Sequence, residues 1–298
     1  MRKLFALLSA SVLFVLAAAP ASASEQSGHN DDRGGYLALG DSVPFGFDPR
    51  ADASDADNFI GYPEIVAKRL NIGHANASCP GEATGGFLSL AGTDNVCFPY
   101  RFYLHNPLHV DYSSAQVDYA TAYLRSHPET RLVTLTLGAN DVFVYQHGCH
   151  PQPDCRLDLA GLLPVLAVMQ ANLNTILTTI RDTGYSGLIV AVTYYALDYG
   201  SISGVTGTMA LNGPMEAAAA AHGVLIASGF DAWAPTAAGG SSCTAGLLIY
   251  HPTLDGPCDV HPTPLGRDLL AAKVISTIAG SCPAHNAKRC LGGGGNND

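Results

Sequence analysis

Three short motifs place side chains that could act together on a carbonyl carbon. Gly40-Asp41-Ser42 closes an apolar run and can present a hydroxyl at a strand-to-helix turn. The first N–H groups of the following helix would suit a developing oxyanion. Gly138-Ala139-Asn140-Asp141 closes a second apolar run. Its Asn140 amide is a neutral donor for a negative tetrahedral oxygen. Asp259-Val260-His261-Pro262-Thr263 puts an imidazole just before a Pro-initiated helix. There it could take a proton from a serine and return it to a leaving group. Alone, each motif reads equally well as a common turn, a helix cap or a surface histidine.

The elements around these motifs decide whether they can meet. Tyr36–Leu39, Gly73–Ala77, Leu132–Leu137, Leu188–Val192 and Val224–Ala227 read as short buried strands. Phe59–Leu70, Ser113–Leu124, Leu162–Arg181, Met209–His222 and Leu265–Ile278 carry helical spacing. Ser113 and Gln116 form a capping-box pattern, with Val117, Ala120 and Leu124 as the apolar face behind it. Thr263-Pro264 supplies an N-cap and a first-turn proline. Alternating strands and helices predict an α/β fold, a parallel sheet with helices on both faces. Sites in such folds lie at the carboxyl edge of the sheet, where these motifs fall.

Taken in order, the three motifs resemble the SGNH hydrolases, also called the GDSL lipase/esterase family. Asn76-Ala77-Ser78-Cys79-Pro80-Gly81-Glu82 resembles the family's second block, with Gly81 as the matching glycine. The resemblance spans residues 36 to about 278. It implies a three-layer α/β/α sandwich with a central, mostly parallel sheet, the flavodoxin-like SGNH hydrolase fold. It also implies Ser42 as nucleophile, His261 as base, and an oxyanion hole from the Ser42 N–H, the Gly81 N–H and the Asn140 side chain. Val43 stands where the family usually has Leu. The family's acid commonly lies three residues before the histidine. Here that position is Cys258, and Asp259 lies two before. Two alternatives stay open: Asp259 orients the imidazole from a shifted backbone, or a main-chain carbonyl does so.

Arg2, Lys3, the apolar run Leu4–Ala19 and Ala21-Ser22-Ala23 fit a signal peptide spanning residues 1–23. The mature chain is expected outside the cell, without stable membrane insertion. There, eight cysteines read as disulfides. Sequential pairing is predicted: Cys79/Cys97, Cys149/Cys155, Cys243/Cys258 and Cys282/Cys290, each closing a short polar or Gly/Pro-containing segment. His147, Cys149, His150 and Cys155 then read as a disulfide loop with exposed histidines rather than a zinc cluster. Residues 24–33 and the Gly-rich tail 291–298 are expected to be disordered, and 34–290 to form one domain. A formal charge of −10 disfavours nucleic acid and anionic lipid surfaces as partners.

The expected activity is that of a secreted serine esterase or lipase, a carboxylic ester hydrolase acting through an acyl-enzyme on Ser42. It needs no metal or cofactor, takes a small-molecule or lipid ester, and is expected to be a monomer. Carbohydrate O-deacetylase and phospholipase are alternatives on the same site, and a non-catalytic binding protein is the reading from another class. Segments Phe98–His105, Tyr199–Gly207 and Gly239–Gly256 read as loops that could rim the site. The sequon Asn76-Ala77-Ser78 overlaps the second block and is expected to be unmodified.

Overall fold

A computed structural model describes residues 35–148, 159–253, 256–282 and 285–291. The expected signal peptide, residues 24–33, all but the first residue of the tail, and the Cys149/Cys155 couple lie outside the described residues.

Strands β1 (Tyr36–Gly40), β2 (His74–Asn76), β3 (Leu132–Thr136), β4 (Leu188–Val192) and β5 (Leu225–Ala227) form one parallel sheet in the order β2-β1-β3-β4-β5. The register pairs Leu37 with Val133 and Val133 with Ile189. Side chains alternate across a strand. Leu37, Leu39, Val133, Leu135, Ile189 and Ala191 therefore build one core, and Tyr36, Ala38, Leu132, Val190 and Val192 the other. A sheet buried on both faces explains why its strands read as continuous apolar runs.

Helices α5 (Gln116–Ser126), α7 (Leu159–Arg181) and α8 (Ile202–His222) cover the first face. Helices α2 (Tyr62–Leu70), α9 (Gly229–Ala237) and α10 (Pro264–Gly280) cover the second. This is the three-layer α/β/α sandwich. On α10, Leu270, Val274 and Ile278 are fully buried, at about 1.5–3 kcal/mol each. Shorter helices sit at the carboxyl edge: α1 (Ser42–Phe45), α3 (Thr84–Leu88), α4 (Cys97–Phe102) and α6 (Ala139–Gly148); α11 (Ala287–Cys290) follows α10. Ala160–Arg181 is long and apolar enough to cross a membrane by length and composition. Its Met169, Leu173, Ile176, Leu177 and Ile180 pack into the first core, so this face of the helix covers the sheet.

Several elements differ from their expected bounds. The Phe59–Leu70 helix begins only at Tyr62. Gly61 is its N-cap, and the Glu64 side chain accepts the Gly61 N–H at 2.7 Å. Ser113 does not cap α5; Ala115 holds the cap position, and the fully buried Gln116 turns its amide to the Gly40 backbone instead. Tyr199–Gly207 is not all loop. Ser201 caps α8 by accepting the Gly204 N–H at 3.2 Å, and the helix starts seven residues before Met209. Gly239–Gly256 contributes β6 (Leu248–Thr253) to an antiparallel hairpin with β7 (Gly256–Pro262), outside the main sheet. Thr263 caps α10 as expected, accepting from Gly266 N at 3.3 Å with Pro264 in the first turn.

The sheet order reverses at β1: the chain leaves it for β2 on one side and reaches β3 on the other. The crevice at the carboxyl ends of β1 and β3 is thus the topological switch point, where open α/β sheets bind ligands. Gly40-Asp41-Ser42 and Gly138-Ala139-Asn140 both open onto it.

Candidate active site

Ser42 starts α1, so its N–H is a first-turn donor with no intrahelical acceptor. The turn before it is held from several sides. Gly40 has φ +132°, and a Cβ there would lie 1.9 Å from the Thr136 carbonyl oxygen, so only glycine fits. Gln116 Nε2 donates to the Gly40 carbonyl at 3.0 Å, and its Oε1 accepts the Gly40 N–H at 2.6 Å. Asp41 caps α1 by accepting from Val43 N at 2.9 Å. Its other carboxylate oxygen accepts from the Tyr194 hydroxyl. Burial pushes the Asp41 carboxyl up to about 6, against the hydrogen bonds from Tyr194 and Val43 and the His261 charge.

His261 reaches this turn from β7. Its Nε2 lies 2.8 Å from Ser42 Oγ, and its Nδ1 is hydrogen-bonded to Asp259 Oδ1. The same oxygen accepts the His261 backbone N–H at 3.0 Å. The hairpin register shifts here: Leu248 pairs with Pro262 and Tyr250 with Cys258, so Asp259, Val260 and His261 bulge out opposite Ile249. In that bulge Asp259 turns back on the His261 N–H, which puts the carboxylate beside the imidazole. Burial would raise the Asp259 carboxyl, but the hydrogen bonds and charge of His261 outweigh it and hold the group below the usual range. Between the pair, the Val260 carbonyl accepts from the Tyr195 hydroxyl at 2.7 Å. Tyr195 stacks on the buried Trp233 at 3.6 Å. Phe47 meets the imidazole edge-on at 5.0 Å.

Gly81 and Asn140 come together through the second block. Asn140 Nδ2 donates to the Glu82 carbonyl at 3.0 Å, and its Oδ1 accepts from Asn95 Nδ2 at 2.9 Å. The two bonds define the orientation of the amide and leave its second N–H for another acceptor. Asp141 accepts the Thr84 N–H at 2.9 Å and the Thr84 hydroxyl, tying α6 to α3. Tyr194 accepts the Ala139 N–H at 3.1 Å, so one phenol joins the Ser42 turn to the Asn140 turn. Gly81 has φ +82°, and a Cβ there would collide with Val96. Asn95 and Val96 both donate to the Gly81 carbonyl, at 3.2 and 3.3 Å.

Disulfides flank both halves. Cys79–Cys97 closes the loop that holds Gly81 and Asn95, and Cys243–Cys258 ends one residue before Asp259. Cys282–Cys290 joins the end of α10 to α11. Asn76 is buried, and its Nδ2 donates to Pro44 O at 2.9 Å and to Glu64 Oε1 at 2.7 Å. A glycan would need both bonds broken. Of the three expected rim segments, only Tyr199–Gly207 lines the cavity beside Ser42; Phe98–His105 and Gly239–Gly256 do not.

Sequence reasoning did not single out Gln116, Tyr194, Tyr195 or Asn95 for the site. Each acts across a long sequence separation, 76 residues for Gln116 and 153 for Tyr194. A fully buried glutamine at a helix start is visible as an oddity only once burial is known.

Among solved structures, the chain is similar to phospholipase A1 from Streptomyces albidoflavus NA297. Identity is 20%, coverage 82% of this chain and 99% of that one, and the TM-score 0.54. It is also similar to an acetylxylan esterase from Geobacillus stearothermophilus, at 14% identity, 83% and 96% coverage and a TM-score of 0.51. Both likenesses concern the fold. Among curated proteins no sequence match is found. A family model does match, over residues 38–269 and so over most of the chain. The chain belongs to the GDSL-like lipase/acylhydrolase family, and with it to the ester hydrolases.

Proposed function

We propose that the protein hydrolyses carboxylic esters through an acyl-enzyme on Ser42, with His261 as general base and Asp259 as the orienting acid. The continuous hydrogen-bond chain from Asp259 through His261 to Ser42 Oγ carries this reading. Oγ attacks the ester carbonyl carbon while its proton passes to His261 Nε2. The carbonyl oxygen becomes an oxyanion, received by the Ser42 and Gly81 N–H groups and the second Asn140 N–H. The C–O bond to the alcohol then breaks, and the alcohol leaves with the proton from Nε2. Water, deprotonated by His261, attacks the acyl carbon and releases the acid and Ser42. Asp259, held ionised, keeps the Nδ1 proton facing it and favours the transient imidazolium. The disulfides Cys79–Cys97, Cys243–Cys258 and Cys282–Cys290 support export to an oxidising compartment.

A fluorophosphonate probe tests the reading. The wild type is expected to carry one phosphonyl group on the peptide containing Ser42 and to lose p-nitrophenyl acetate hydrolysis with it. Ser42→Ala should neither label nor turn over. Labelling elsewhere, or full activity in Ser42→Ala, would overturn the assignment.

A further inference from the structure

A cavity of about 330 Å3 opens beside Ser42, Asn140 and His261. Its far wall is built from α6, α7, the start of α8 and the segment after β4. Val142, Phe143, Leu162, Leu197 and Leu211 line it. Several of its polar atoms are already paired within the wall. The Thr208 hydroxyl donates to the Gly204 carbonyl at 2.9 Å, the Ser203 hydroxyl pairs with Ser201, and the Tyr195 hydroxyl is held by Val260. Gln146 is a further polar lining residue; beyond it, a sugar entering this space would bury hydroxyls against the Val142, Phe143, Leu162, Leu197 and Leu211 wall, each unpaired one at a loss. An alkyl chain would bury only apolar surface. Leu163 and Ile202, next in sequence to the lining residues Leu162 and Ser203, are 64% and 85% exposed. The approach is apolar as well.

The cavity also has a direction. Phe47 meets the His261 ring edge-on at 5.0 Å and does not line the cavity, so the cavity and Phe47 flank the imidazole separately. Asn140, whose second N–H faces the oxyanion, starts the same α6 that carries Val142 and Phe143 into the wall. The remaining substituent of the tetrahedral carbon is the acyl chain.

The geometry points to this cavity as an acyl-chain pocket for unbranched medium-chain esters, with the exposed Gly207 of α8 at its open end. The inference rests on Ser42 being the nucleophile. At roughly 30 Å3 for each water-sized group, about 330 Å3 holds about eleven such groups; the reacting ester atoms beside Ser42 take part of it, which leaves a chain of roughly eight to ten carbons. Gly207 lines the cavity, and a Cβ built on it meets nothing within 4 Å. A larger side chain there would enter the pocket without displacing backbone.

The test is a chain-length series on wild type, Gly207→Leu and Thr206→Leu. Thr206 lies on the same helix, is exposed and does not line the cavity. Both changes put a better helix former into the helix, so folding is not at risk from propensity. One arm uses p-nitrophenyl acyl esters from acetyl to dodecanoyl, the other n-alkyl acetates of matching lengths. Wild-type kcat/KM is expected to rise with acyl length, by at most about fourfold per methylene, and to level off near eight to ten carbons. In Gly207→Leu the break should come about three carbons earlier, with the decanoyl-to-acetyl ratio reduced at least tenfold. Thr206→Leu should keep the wild-type profile.

A length dependence that moves only in the alkyl acetate arm would overturn the acyl assignment in favour of the alcohol chain. Equal profiles for wild type and Gly207→Leu, with acetyl esters still cleaved, would overturn the pocket while leaving the Ser42 reading intact. No hydrolysis in any arm, with no phosphonyl label on Ser42, would remove both.

Discussion

Replacing Asp259 by Asn tests the least conventional part of the site. The substitution keeps size and an acceptor oxygen, so the backbone bond to His261 N can persist. What goes is the charge beside Nδ1. In the transition state the imidazole becomes a cation in contact with that carboxylate. Asp259 and His261 are both partly shielded from solvent, with side-chain exposures of 18% and 13%. At an effective dielectric near 20, two unit charges about 4 Å apart attract by about 4 kcal/mol. At 1.36 kcal/mol per decade this is about 10³ in rate. An Asn amide that turns its NH2 toward Nδ1 would also stabilise the wrong tautomer, an effect worth about 10⁴ in kcat in a serine protease. Asp259→Asn should therefore lower kcat for p-nitrophenyl acetate about 10³- to 10⁴-fold, with KM changed little. Phosphonylation of Ser42 should slow in parallel, and Tm should stay within a few degrees. A loss under tenfold in a folded variant would refute the reasoning. The imidazole would then be oriented by a main-chain carbonyl, with Asp259 only a local turn-former.

Three further outcomes follow from the scaffold around the proposed triad. Asn95→Ala removes the donor that fixes the Asn140 amide. It should cost about tenfold in kcat, below the 10²–10³ of losing an oxyanion donor outright; kcat within twofold of wild type would discount the role. Cys79→Ser with Cys97→Ser opens the 18-residue loop that holds Gly81 and Asn95. About 3 kcal/mol should be lost in urea unfolding, and kcat should fall more than KM rises. Tyr194→Phe takes a hydrogen bond from buried Asp41 and an acceptor from Ala139 N. The Asp41 carboxyl at about 6 lies above its usual 3.8. Its stabilising contribution is therefore complete below pH 3.8 and lost as pH rises through 6. The Tyr194 bond holds that value down, so removing it widens the window of loss. The lost Ala139 bond sets a deficit at every pH, and the Asp41 bond should make it about 1.5–3 kcal/mol larger at pH 8 than at pH 4; a deficit independent of pH would separate Tyr194 from Asp41.

The layers of the fold were legible because the sheet is buried on both faces. Leu132–Thr136 and Leu188–Val192 are short runs rich in branched residues, and the parallel register leaves them no polar face to obscure the pattern. Helix starts were less legible, since caps compete with tertiary bonds. Ser113 and Gln116 have the right spacing for a box, yet Gln116 gains more by pairing both ends of its amide with buried Gly40 than by capping an exposed turn. The start of α8 was hidden by Gly204 and Gly207, poor helix formers kept where the helix borders the cavity. The hairpin that carries His261 was hidden by Pro252, Gly256 and Pro257 and by its shifted register.

That hairpin also explains why Asp259 stayed ambiguous. A motif carries a spacing, but the same spacing means different geometry on different backbones. Three residues suit a carboxylate on a loop turning into a helix; two suit the bulge of β7, where Asp259 turns back on the His261 N–H. The chain places Asp259 and His261 on β7, anchors the residue before them to Cys243, and pins Val260 between them through Tyr195. On the proposed reading, the departure from the family's spacing is a change of backbone that still brings a carboxylate to the imidazole. It also ties the contact to the Cys243–Cys258 bridge and the Tyr195–Trp233 stack, two features absent from any reading of the motif alone.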